Sequence, residues 1–299
     1  MGDPHPIISL GDFGKPANTL IEKIADAIGG IFKPHQIVKV AQAEAEAEKI
    51  RAVTHIEVTQ LERRAMRRLI MEEAKKQNNI ETIIGKALPE VDEKAKPEQV
   101  EDDWITNFFE KCRLISDEEM QVLWARILAG QANSPGKFSK RTVDLLASMD
   151  KADANAFSNL CSFAFRADKL IPLVYDVRNK VYADHGINFG TLSHLESISL
   201  IHFDNLRGFL LTGLEQKGLL DYFGERVWIE FPNPENYELQ VGKVLFTQAG
   251  EQLGPICGAE RRDGFVEYII ERWKSLGYKI ERQTELDGAK KSTRSTAAP

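Results

Sequence analysis

The chain has 299 residues, 42% of them hydrophobic and 28% charged, with a formal net charge of -6. Such a composition is ordinary for a globular protein with room for two modest domains, and the negative balance gives no general attraction for nucleic acid or acidic lipid. Cys112, Cys161 and Cys257 are far apart and form no CxxC pair, which predicts reduced thiols in a cytoplasmic protein, and no apolar run reaches the roughly 18 residues that a membrane span requires.

The N-terminal MGDPHPIISLGDFG lacks a basic leader followed by an apolar run, so no secretory signal is expected. Between Pro16 and Pro34, the residues Leu20, Ile21, Ile24, Ile28 and Ile31 form an apolar stripe with Phe32 at its edge, opposed by Glu22, Lys23 and Asp26. The spacing predicts an amphipathic helix, a membrane or assembly face. It suits a bilayer interface, or it packs on the protein's own domain or on a second copy. The mixed charge of its polar face favours packing on protein.

From His35 to Ile84 there is neither Gly nor Pro. This predicts a long helical region that breaks near Gln77-Asn78-Asn79, where helix propensity drops. Arg63, Arg64, Arg67 and Arg68 make a basic patch on adjacent turns, a pattern that suits phosphate on lipid or nucleic acid. Glu57, Glu62, Glu72 and Glu73 flank it, which predicts instead a solvated face with intrahelical ion pairs. The apolar seam through Ala41, Ala45, Ile50, Val53, Val58, Leu61, Ala65 and Leu69 has no clean heptads, so helix pairing within an oligomer is expected rather than a two-stranded coiled coil. Gly85 to Glu101, with Pro89 and Pro97, reads as a polar linker.

A helical domain is expected over residues 102–169, opening with the stripe Trp104, Phe108, Phe109. Within it, Ser116 and Glu119 have capping-box spacing, Met120, Leu123, Trp124, Ile127 and Leu128 share a helix face, and Gly130 is placed to end the helix. Ser134-Pro135-Gly136 predicts a turn, and Ser139 a cap for a second helix burying Val143, Leu145, Leu146 and Met149. The order DEEMQ.LWA.ILAG....PG.FS.RT resembles an uncharacterised bacterial family, domain-of-unknown-function family 2806, and the resemblance runs from the N-terminus to about residue 280. It implies no activity, so the mechanism must come from the residues.

From about Leu170 the pattern changes to short strands. ISLIHF, GLLDYFGERVWIEF and LQVGKVLFT read as strands, AGEQLGPIC as a helix, and the order over residues 186–258 resembles a winged-helix module. Its basic residues are Arg207, Lys217, Arg226 and Lys243, set against nine carboxylates from Glu196 to Glu251, and FGTLSHLES carries no Lys or Arg. A groove reader needs cations there, so nucleic acid is not the expected partner. A last helix bearing Phe265, Tyr268, Ile269 and Trp273, then Gly277 and a strand YKIER, close residues 170–282. Residues 283–299 are expected to be a disordered tail.

No enzyme motif survives inspection. Gly130 is followed by five residues and Gly136-Lys137-Phe138, whereas a phosphate loop needs four and a hydroxyl after the lysine. His185, His194 and His202 lack metal-ligand spacing, and no GxSxG elbow or activated cysteine is present. No catalytic residue, cofactor or metal is therefore assigned. The fold expected is mainly α with a C-terminal α+β, winged-helix-like part. The function expected is non-enzymatic interaction or assembly, as a homo-oligomer or with a protein partner. Its more specific form is an anti-phage or abortive-infection protein in peripheral contact with the inner face of a membrane. The alternative is a winged-helix DNA-binding regulator.

Overall fold

The stripe at Lys15–Ile28 winds into helix α1, with Pro16 in the first turn where a missing N–H is harmless. This is seen in a computed structural model that describes residues 14–28, 59–232 and 237–283. Ile31, Phe32, the stretch from His35 to Val58 and the residues after Gln283 lie outside it. The chain divides into two units between Ser148 and Met149, whereas the sequence pattern suggested boundaries at 85–101 and near 170.

The first unit is helical. Gln60–Ala87 forms α2, opened by a capping box in which the Thr59 hydroxyl accepts from the Glu62 amide at 3.3 Å and the Glu62 carboxylate from the Thr59 amide at 2.7 Å. The expected break at Gln77-Asn78-Asn79 does not occur. Asn79 is buried, and its Nδ2 donates to the Arg113 carbonyl at 2.9 Å, a tertiary bond that offsets its weak helix propensity. The expected linker is also ordered. Leu88–Glu90 and Pro97–Gln99 form 3-10 turns, and the Lys96 amide donates to the Ala132 carbonyl at 2.9 Å. Asn133 accepts from the Asp92 amide at 2.9 Å and donates to the Glu90 carbonyl at 3.0 Å.

Asp102–Cys112 forms α3, Glu118–Asn133 α4 and Lys140–Ser148 α5. Trp104, Phe108, Phe109 and Trp124 are buried together, with the Phe108 and Trp124 rings edge-on at 5.1 Å. Two expectations at α4 are corrected. Its cap is Asp117, whose Oδ1 accepts from both the Glu119 and Met120 amides; a carboxylate complements the helix start better than the Ser116 hydroxyl. Gly130 does not end α4. A Cβ there would stand 2.8 Å from the Phe138 ring, so glycine serves close packing, and the helix continues to Asn133. Ser139 caps α5 as expected, accepting from the Thr142 amide at 3.1 Å.

The second unit begins with α6 (Lys151–Cys161), capped by Asp150. Strands β1 (Ala164–Arg166), β2 (Leu170–Pro172), β5 (Lys217–Tyr222), β6 (Glu225–Glu230) and β9 (Lys279–Gln283) form an antiparallel sheet in the order β2-β1-β5-β6-β9. Two smaller antiparallel pairs join β3 (Ile201–Phe203) to β8 (Val244–Phe246) and β4 (Phe209–Leu211) to β7 (Leu239–Gly242). Short helices α7 (Lys180–Ala183), α8 (Phe189–Ser197) and α9 (Gln248–Leu253) and the longer α10 (Phe265–Ser275) complete it. Phe163, Phe165, Tyr182, Tyr222, Phe265 and Trp273 make an aromatic core. The Tyr182 and Tyr222 hydroxyls donate to the Leu173 and Ser162 carbonyls at 2.7 and 2.8 Å, so burial leaves neither oxygen unpaired.

Residues 186–258 therefore do contain a helix followed by antiparallel strands. Their hairpin differs from a free wing, because β5–β6 lies between β1 and β9 in the larger sheet. The two-residue loop Phe223-Gly224 has both φ values positive, at 50° and 89°, as a tight hairpin turn requires.

Candidate functional site

The stripe on α1 is used within the first unit. Leu20, Ile21 and Ile24 are buried, Ile28 is half-buried, and the helix packs against α3 and the Pro97–Gln99 turn. Lys23 pairs with Asp102 at 2.9 Å. Burying such side chains stabilises the contact by about 1.5–3 kcal/mol each, so a lipid surface can reach this stripe only by displacing α1 from α3.

The basic patch lies elsewhere, on a helix half with little support. The C-terminal half of α2 buries Ile80, Ile83, Ile84 and Ala87, and the helix packs on α4. Every residue from Thr59 to Lys75 is exposed. Over that length, about 24 Å at 1.5 Å per residue, Leu61, Met66, Leu69, Ile70 and Met71 keep 68%, 45%, 58%, 42% and 73% of their surface in solvent. At 100° per residue, Leu61, Ala65, Leu69, Met66 and Ile70 share one side, together with Glu62 and Glu73. Arg63, Arg64, Arg67 and Arg68 share the other. Arg68 pairs with Glu72 at 3.6 Å, both largely exposed, a pair of slight energetic weight. The sequence pattern showed the arginines but not that the apolar side would be left open.

A cleft of about 490 Å³ opens in the block that carries the family-like word order, lined by Trp104, Gln131, Gly136, Phe138, Ser139 and Lys140 among others. Its polar wall is engaged in holding the fold. The Trp104 indole donates to the Phe138 carbonyl at 2.8 Å, Gln131 Oε1 accepts the Phe138 amide at 2.9 Å, and Ser139 caps α5. Lys137 lies over the Phe138 ring at 5.4 Å. The glycines and lysine that superficially suggest a phosphate loop thus shape a turn, Gly136 having a φ of 85°.

The three histidines are dispersed. His185 lies against the Phe163 ring at 5.8 Å, His202 is exposed on β3, and His194 contacts Asp153 at 2.6 Å, linking α8 to α6. Among the described residues, no group of three or more His, Cys, Asp or Glu side chains is placed to hold a metal ion, and no helix is long and apolar enough to cross a membrane. A densely charged cluster in the second unit is structural in character. Buried Glu225 on β6 receives Arg261 at 2.8 Å and also Arg282, which reaches Glu267 at 2.9 Å and so ties β9 to α10.

No curated protein and no solved structure matches the chain. A family model does, from the exposed half of α2 through most of α10: over residues 63–270 the chain belongs to the family described as protein of unknown function (DUF2806).

Proposed function

We propose that the protein works by interaction and assembly rather than by chemistry, and that the open side of α2 is where a second copy docks. The observation that carries this is the set of four large apolar side chains, Leu61, Met66, Leu69 and Ile70, left in solvent on one side of α2. An isolated helix of this length is marginal in water, and contiguous exposed apolar surface on a folded protein marks an interaction site. The charges argue for a copy of the same helix as occupant, because both complements border the apolar side: by the same 100° step Glu72 and Arg68 fall on either flank of Leu61, and Arg63 beside Ile70. Side-by-side copies can therefore satisfy one another across the rim of the contact. The defence-type role at a membrane remains compatible only if assembly on α2 accompanies release of α1 from α3. The acidic second unit gives the DNA-binding alternative no support, since even Lys217 is held by Glu230 at 3.0 Å.

The test is Leu69→Glu combined with Ile70→Glu. Both residues are exposed, so the helical circular dichroism and the melting of the rest of the chain should persist while the oligomer dissociates by gel filtration. A monomeric wild type whose double variant loses stability would instead assign this face to the protein's own residues 29–58. Retention of anionic vesicles or duplex DNA by a monomeric wild type, lost in Arg63→Ala with Arg67→Ala, would assign α2 to phosphate.

A further inference from the structure

Cys161 is the last residue of α6, and Cys257 follows the 3-10 turn Gly254–Ile256, which packs on that helix. Both sulfurs meet at Gly254. A Cβ on that glycine would stand 3.6 Å from Cys161 Sγ, and the Cys257 thiol donates to the Gly254 carbonyl at 3.1 Å. The two thiols lie near enough for each to affect the other's protonation. We propose that Cys161 and Cys257 are a thiol pair that closes into a reversible intramolecular disulfide when the protein meets a hydroperoxide, with Cys257 reacting first.

The assignment of order follows from environment. Cys161 is fully buried, and burial pushes its thiol well up. Cys257 is partly exposed. The nearby Cys161 thiol holds it below the ordinary thiol value despite burial, helped by the Ala259 amide and the Ser158 hydroxyl. The thiolate is the nucleophile in such chemistry. Cys257 sulfur attacks hydrogen peroxide, an S–O bond forms as the O–O bond breaks, and the leaving hydroxide takes up a proton as water. The Cys161 thiol then loses its proton, attacks the sulfenic sulfur and expels hydroxide, which leaves as a second water. Two thiols are oxidised by two electrons in all, and one peroxide is reduced. The sulfurs must close to about 2.05 Å. Gly258, with a φ of 78°, adjoins Cys257 in a segment outside any helix or strand, where backbone adjustment is easiest. Cys112 is the internal contrast: buried in the first unit without a second cysteine, its thiol pushed up by burial.

The experiment treats the reduced full chain with equimolar hydrogen peroxide, alkylates free thiols in denaturant and maps peptides without reduction. The expected product is a peptide joining Cys161 to Cys257 with two hydrogens lost, restored to two free thiols by dithiothreitol, while Cys112 is alkylated throughout. In Cys161→Ser, Cys257 should stop at sulfenic acid and be captured by dimedone. In Cys257→Ser, peroxide consumption should fall by roughly tenfold or more, since the activated thiolate is gone. The wild-type map decides the matter even if a variant misfolds. Sulfinic acid at Cys257 without the joined peptide, a disulfide between two chains, or three free thiols after oxidant that consumes free cysteine would each overturn the proposal.

Discussion

Trp124 shows how much a single side chain can be read from spacing. Its place in the stripe Met120, Leu123, Trp124, Ile127, Leu128 predicted burial, and it is fully buried against Phe108. Trp124→Ala should destabilise the protein by about 3–5 kcal/mol in chemical denaturation. Its indole nitrogen has no hydrogen-bond partner, so Trp124→Phe should cost clearly less, about 1.5 kcal/mol or below, because an unsatisfied N–H goes with the lost volume. A phenylalanine variant as unstable as the alanine one would contradict this. Gly130 was misread for a reason of the same scale: glycine after an apolar stripe looks like a helix stop, and only the approach of Phe138 reveals its packing role. Gly130→Ala should therefore destabilise, by about 1–3 kcal/mol of overpacking, although alanine is the better helix former by about 1 kcal/mol; Phe138→Leu should relieve part of the effect in a double-mutant cycle. The His194–Asp153 contact adds a pH dependence. Burial pushes the Asp153 carboxyl up, but the His194 and Asp150 hydrogen bonds outweigh it and hold the carboxyl below its ordinary value. Its stabilising contribution is thus present above the unfolded value of about 3.9 and is lost as pH falls through the lower folded value. His194→Ala should lower stability above about pH 4, where the contribution is fully present, by an amount that shrinks as pH falls, and so flatten the acid limb; an acid limb as steep as the parent's would refute the linkage.

At the scale of elements, long-period signals were legible and compensated ones were not. The apolar helices α1, α3, α4, α5 and α10 and the strands after Leu200 other than β4 follow from sequence pattern, since one face of each must be buried. Asn79 and the prolines at 89 and 97 misled because their local preference is overridden by bonds to Arg113, Ala132 and Asn133, distant in sequence. The three-residue strands β1, β2 and β4 are too short to show an alternation. LQVGKVLFT, read as one strand, is divided at Gly242, where φ is 94° and a Cβ would lie 2.2 Å from the Val174 carbonyl oxygen. The Lys243 amide beside it donates to that same oxygen at 2.7 Å. Gly242→Ala combines a left-handed backbone with a backbone clash, so the second unit should lose about 3 kcal/mol or more. A variant that melts within a degree of the parent would show that the β7–β8 kink is dispensable.

At the scale of the whole molecule, what the sequence could not reveal was which apolar faces end up covered. The α1 stripe and the α2 face both carry apolar residues at helical spacing, yet one is buried against α3 and the other stays open. That difference moves the candidate site from Leu20, Ile21, Ile24 and Ile28 to the turns carrying Leu61, Leu69 and Ile70, with the arginines of the basic patch on their far side. It also makes the state of association the decisive property. Sedimentation equilibrium of the full chain across a wide concentration range measures it directly. A weight-average mass rising from 33.7 kDa towards an integral multiple of it, and lowered to the single-chain value by Leu69→Glu with Ile70→Glu, is the predicted result. A wild-type mass of 33.7 kDa at every concentration would contradict docking of a second copy on α2.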